Sequence, residues 1–129
     1  MLNLSVLAVG NPNLEDDLWG VKMAQKIKDE FKTIYCGTVP ENFLSKVDDA
    51  DIVVLLDSYN GDDFVLTDEI SQCESISTHT YNLNIFAEFL RLKKKEFYFL
   101  GVGKRADEEK IRAILRHLQS HRASDHHSH

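Results

Sequence analysis

The chain has 129 residues, the length of one ordinary domain, and a chain of that size buries roughly two-thirds of its unfolded surface without a disulfide or structural metal. Its 43% hydrophobic and 28% charged content excludes an intrinsically disordered chain. A net charge of -6, from 15 basic and 21 acidic residues, argues against a nucleic-acid binder, which usually carries a basic face.

The two cysteines, Cys36 and Cys73, form no Cys-x-x-Cys pair, so zinc-knuckle and thioredoxin motifs are excluded. Cys36 ends an apolar run and reads as core, whereas Cys73 lies in a polar stretch. No apolar run approaches the roughly 20 residues of a membrane span, and no basic segment precedes the first strand. A cytoplasmic protein that engages neither membrane nor nucleic acid is expected.

Residues 4–9 form the first apolar run and are closed by Gly10, Asn11 and Pro12, the pattern of a buried strand. Asp16 and Asp17 then precede a helical pattern with Val21, Ala24, Ile27 or Lys28, and Phe31 on one face. Acids there suit a helix start, because they accept from its exposed N–H groups and meet its positive dipole end. Residues 33–36 read as a short second strand. Pro40 and Glu41 open a second helix with Phe43, Leu44 and Val47 inward.

Residues 52–56 are five consecutive aliphatics, which means a strand covered on both faces; Asp57 follows directly. Residues 64–66 are a further short strand, and 74–77 a weak edge candidate. Leu83, Phe86, Ala87 and Leu90 mark a helix face, and Lys93, Lys94 and Lys95 form a solvated connection after it. Residues 97–102 are the last strand, marked by Gly101 and Gly103. Asp107 caps a final helix with Ile111, Ile114, Leu115 and Leu118 inward. The alternation predicts a three-layer α/β/α fold with a mostly parallel sheet of about five strands. Residues 1–119 make a single domain and 120–129 a polar, histidine-containing, frayed tail. The strands at 4–9, 52–56 and 97–102 should be adjacent in the sheet interior.

Ligands of such sheets bind outside the carboxyl ends of the strands. The polar residues expected there are Asn11, Glu15, Asp16 and Asp17, then Gly37 and Thr38, then Asp57 and His79. Each has a plain alternative: an acid can be only a helix cap, Asp57 can simply begin a polar loop, and His79 can be an ordinary loop histidine. Against that, a carboxylate at the end of a doubly buried strand is partly desolvated, which is costly unless it is paired or bound to metal. Of six histidines, only His79 precedes position 117. Two carboxylates and one imidazole suit a divalent transition metal such as nickel or zinc. Gly10-Asn11-Pro12 is a poor phosphate loop, since Pro12 removes a donor and no Gly-x-Gly-x-x-Gly is present. It also looks like the opening of peptidyl-tRNA hydrolases, but the early histidine of that family is missing.

The run from Val9 to Val21, Gly-Asn followed by four residues, two acids, two residues and Gly-Val, resembles the opening motif of the hydrogenase maturation endopeptidases. Val54-Leu55-Leu56-Asp57-Ser58 resembles that family's strand ending in aspartate, and Ile76-Ser77-Thr78-His79-Thr80 its histidine before a helix. Phe99-Leu100-Gly101-Val102-Gly103 resembles the strand before its last helix, so that order and spacing agree over about residues 3–118. Leu18 and Trp19 stand where the family often has small residues.

The resemblance implies an endopeptidase of aspartyl or metal-dependent type that trims the carboxyl terminus of a nickel–iron hydrogenase large-subunit precursor. Nickel would come with the substrate, and no organic cofactor is implied. Asp17, Asp57 and His79 would be the metal-binding and catalytic residues, with Asp16 the cap and Asn11, Gly37 and Thr38 lining the substrate. A monomer is expected. The rival readings are a non-catalytic module for a metal or metalloprotein, and a peptidyl-tRNA hydrolase-like enzyme. His126, His127 and His129 lie too far into the polar tail to hold a fixed geometry. Deleting residues 124–129 is therefore expected to leave precursor cleavage, read by product mass, unchanged.

Overall fold

The aliphatic run at 52–56 becomes the middle of the sheet. The computed structural model describes residues 1–11, 13–69 and 83–120. In chain order these form β1 (Leu4–Ala8), a 3-10 turn (Glu15–Asp17), α1 (Trp19–Ile27), β2 (Lys32–Tyr35) and a 3-10 helix (Pro40–Val47). There follow β3 (Ile52–Ser58), β4 (Phe64–Thr67), α2 (Leu83–Lys93), β5 (Glu96–Val102) and α3 (Glu108–Ser120). The strand order is β2-β1-β3-β5-β4, with β4 antiparallel to β5 and every other pair parallel. The three apolar strands are adjacent and interior, as expected, and the two weaker strands form the edges.

Both faces of the sheet are covered, which is why its central strands are apolar without alternation. Val6, Val54, Leu56 and Leu100 pack under Met23, Ala24 and Ile27 of α1 and Ile111 and Leu115 of α3. Leu7, Val53, Leu55 and Phe99 pack under Leu44 and Val47 of the 3-10 helix and Phe86 and Leu90 of α2. Each such Leu or Phe, fully buried, contributes about 1.5–3 kcal/mol.

Three local features differ from expectation. β3 runs through Asp57 and Ser58, because Asp57 pairs with Gly101 and Ser58 with Val102; Asp57 is thus inside the strand, not after it. The segment after Pro40 is a 3-10 helix rather than an α-helix. At about 2.0 Å rise per residue the tighter helix spans more of the sheet per residue than an α-helix would. Finally, α1 starts at Trp19, with Leu18 at its N-cap position and no side-chain cap bond. Asp107 does cap α3, its Oδ1 accepting from the Glu109 N–H at 3.0 Å. Cys73, the edge candidate at 74–77 and the tail from 121 onward lie outside the described residues. Among the described residues no helix is long and apolar enough to cross a membrane.

Arg112 ties α3 to the end of α1. Its side chain is only 11% exposed and reaches Glu108 Oε2 at 2.9 Å, Glu30 Oε1 at 2.9 Å and Asp29 Oδ1 at 3.0 Å. It also donates to the Lys26 carbonyl at 2.6 Å, and Arg116 joins it on Glu30. Arg116, then Arg112, hold the Glu30 carboxyl down to about 2. A lowered acid contributes stability above its unfolded value, near 4.5, and loses it as pH falls through the folded one. The gap in melting temperature between the unaltered chain and Glu30→Gln is therefore expected to be full above about pH 4.5 and to close near pH 2.

Candidate site at the carboxyl ends of β1 and β3

The chain crosses from β1 outward to β2 on one side, while β3 and β5 lie on the other. The crevice outside the carboxyl ends of β1 and β3 is therefore the switch point of the sheet. Two aspartates are built into it.

Asp17 is 6% exposed. It is placed by the turn after β1. Gly10 has φ +151 and packs so close to the 3-10 turn that a Cβ would lie 2.5 Å from the Asp17 carbonyl oxygen. The Gly10 N–H donates to the Gly37 carbonyl at 2.8 Å, which pins the turn to the loop after β2. The Asn11 N–H then donates to Asp17 Oδ2 at 2.7 Å, and Asn11 Oδ1 accepts from the Asn13 N–H at 3.0 Å. The Asp17 N–H closes the turn on the Leu14 carbonyl at 3.1 Å. Asp17 thus serves the loop before the helix and does not sit on the N-terminus of α1.

Asp57 is wholly buried. Its Oδ1 accepts from the adjoining Ser58 N–H at 2.7 Å. Alternation along β3 puts it on the face of Val53 and Leu55, under the 3-10 helix and α2. Ser58 points the opposite way, and its Oγ accepts from the Gly20 N–H at 2.9 Å. Gly20 is required there: a Cβ would come within 2.9 Å of the Asp57 carbonyl carbon and 3.0 Å of the Ser58 nitrogen. The first turn of α1 therefore lies directly on the end of β3, and the Asp17 turn packs against that strand. Burying a carboxyl group is costly, and a backbone N–H offsets part of that cost at each of the two.

The other expected residues divide. Asn11 joins the site through its backbone N–H, and Gly37 through its carbonyl and a φ of +57. Thr38 is exposed beside Gly37. His79, Pro12 and the Asp16 side chain lie outside what is described. Among the described residues no three His, Cys, Asp or Glu side chains form a metal-binding group. Cys36 offers no nucleophile, since burial pushes its thiol up to about 12. Gly20 and Ser58 have positioning roles that sequence reasoning missed; the one signal was the Gly-Val after the acid pair. Also missed was a cleft of about 690 Å³ lined by Glu15, Trp19, Tyr59, Asn60, Gly61, Asp62 and Lys104. A second groove, of about 560 Å³, runs along Gly10, Val21, Gln25, Tyr35 and Gly37. Both aspartates are buried, and neither lines either opening.

An open, mostly parallel α/β sheet with acids at its β1/β3 switch point is the class the geometry defines. No family model matches the chain, and no curated protein matches its sequence. Solved structures do match. The [NiFe] hydrogenase maturation protease HycI from Thermococcus kodakarensis KOD1 has a TM-score of 0.67 and 18% identity, with 93% of this chain and 94% of that chain covered. HybD from Thermococcus kodakarensis has a TM-score of 0.67 and 15% identity, with 92% and 99% covered. The hydrogenase maturating endopeptidase HybD from E. coli has a TM-score of 0.63 and 17% identity, with 90% and 93% covered. The chain has the fold of these maturation proteases.

The contact between α1 and β3 is testable by itself. Gly20→Ala forces a methyl onto the β3 backbone, and Ser58→Ala leaves a buried N–H unsatisfied. Each is expected to lower stability by about 1–3 kcal/mol, read from the denaturant midpoint.

Proposed function

We propose that this chain is an endopeptidase that removes the carboxyl-terminal extension from a nickel-loaded precursor of a [NiFe] hydrogenase large subunit. The nickel is part of the substrate. Asp17, Asp57 and His79 read it, with two carboxylates and one imidazole as donors. The observation that carries the reading is the burial of Asp17 and Asp57 at one switch point, in a fold shared with maturation proteases. The sequence resemblance selects the same two acids independently and adds His79.

Three donors leave coordination positions open, so an ion already held by the precursor can be shared between the two proteins. The backbone bonds at Asp17 Oδ2 and Asp57 Oδ1 hold each carboxylate in one orientation before the substrate arrives. A common ion at roughly 2.0–2.2 Å from each donor brings the three donor atoms to about 3–3.5 Å from one another. The precursor is the partner, the enzyme works as a cytoplasmic monomer, and no organic cofactor takes part.

The test is incubation with nickel-loaded precursor, followed by mass measurement of the product. His79→Ala is expected to slow processing by about a hundredfold or more. Asp57→Asn is expected to do the same; it keeps the side-chain volume and an acceptor for the Ser58 N–H, and its denaturant midpoint, measured in parallel, separates loss of activity from loss of folding. Precursor without nickel should remain uncut by the unaltered protein. Normal cleavage by His79→Ala would remove that residue from the site. Tight binding of the loaded precursor with no product would identify a non-catalytic metalloprotein-binding module instead.

A further inference from the structure

The ladder between β1 and β2 slips by one residue at the edge of the crevice. Ala8 is matched to Tyr35, and its carbonyl accepts from the Cys36 N–H at 2.9 Å. An unbroken parallel ladder would next carry the Gly10 N–H to the Cys36 carbonyl. Instead the Cys36 carbonyl accepts from the Val39 N–H at 3.2 Å, and the Gly10 N–H goes one residue further, to the Gly37 carbonyl at 2.8 Å. The slip falls at Gly37, whose φ of +57 is the left-handed conformation that residues with a Cβ resist. That conformation turns its carbonyl onto the start of the Asp17 turn. Space does not require glycine there: a Cβ on Gly37 would meet no described atom within 4 Å, and the residue opens on the groove of about 560 Å³. The backbone angle is what requires it.

From this we infer that Gly37 is a positioning residue for Asp17, acting through its backbone and not through contact with substrate. The path is short, and each step is a hydrogen bond or a packed contact. Gly37 holds Gly10 through the 2.8 Å bond. A Cβ on Gly10 would lie 2.5 Å from the Asp17 carbonyl oxygen and 3.6 Å from its Oδ1, so Gly10 and the Asp17 turn are in direct contact. The next residue, Asn11, donates its N–H to Asp17 Oδ2 at 2.7 Å. The orientation of the carboxylate is therefore set from the loop after β2 as well as from β1. If residue 37 leaves the left-handed region, its carbonyl swings off Gly10, and the hold of Asn11 on Asp17 loosens. The link from Gly37 to the reaction rests on the proposed function; the link to Asp17 does not, and the experiment reads the two separately.

Gly37→Ala and Gly37→Asn separate a backbone role from a substrate-lining one. In both, the added atoms meet open space, but of the two only Asn tolerates the left-handed backbone. The first readout needs no substrate. It is the amide resonance of Asn11, with that of Gly20 as control, since the Gly20 N–H is held by Ser58 at the same end of the sheet. In Gly37→Ala the Asn11 resonance is expected to shift and its hydrogen exchange to quicken about tenfold, with Gly20 unmoved; Gly37→Asn should restore both. The second readout is kcat/KM on nickel-loaded precursor, expected to fall about tenfold for Gly37→Ala and to recover with Gly37→Asn. A Gly37 that lined the substrate would give the opposite order, the larger Asn losing more than Ala. That order, an unmoved Asn11 resonance in folded Gly37→Ala, or an unchanged kcat/KM for it would overturn the inference. A shifted Asn11 resonance with no cleavage by any of the three proteins would sink the endopeptidase reading and leave the positioning of Asp17 standing.

Discussion

The site depends on one contact, the Gly20 N–H on Ser58 Oγ at 2.9 Å. It brings a helix start onto the end of the central strand with no side chain between them. Because α1 is fixed there, the residues just before it, Glu15–Asp17, are forced back over the end of β1. Because β3 is fixed there, its strand geometry extends through Asp57 and turns that carboxylate toward the opposite face. A side chain at position 20 would push these groups apart, and the crevice would open before any charge was altered.

Much of this was legible in the sequence, and the reasons are physical. The runs at 52–56 and 97–102 are apolar at every step, which only a strand buried on both faces tolerates, so the sheet interior followed from them. The faces of α1, α2 and α3 followed from helical spacing. The tight helix after Pro40 was not legible, since the pattern of Phe43, Leu44 and Val47 suits an α-helix equally well. Nor was the true start of α1. Acids ahead of a helix look the same whether they cap it or, like Asp17, accept from a loop N–H six residues back.

The candidate site was legible as positions but not as roles. Asp17 and Asp57 stood out because acids near apolar strand ends need a reason to be there. Ser58 fell outside the expected strand at 52–56, since nothing local reveals that β3 goes on pairing with Gly101 and Val102 of β5. Asn11 read as a substrate contact, yet its described bonds hold the turn: its N–H orients Asp17 and its amide oxygen steadies Asn13. Trp19 and Tyr59 became noticeable only once their shared cleft was seen, because their relation spans two separate segments.

The parallel pairing has a consequence for how the crevice comes into being. Leu4 is matched to Ile52, and Ile52 in turn to Glu96, so the sheet joins stretches far apart along the polymer. Long closures of this kind form late and slowly. The turn that carries Asp17 and the strand end that carries Asp57 come to the same end of the sheet only when β1 has docked on β3. A nascent or partly assembled chain therefore lacks the crevice that these two strands form together.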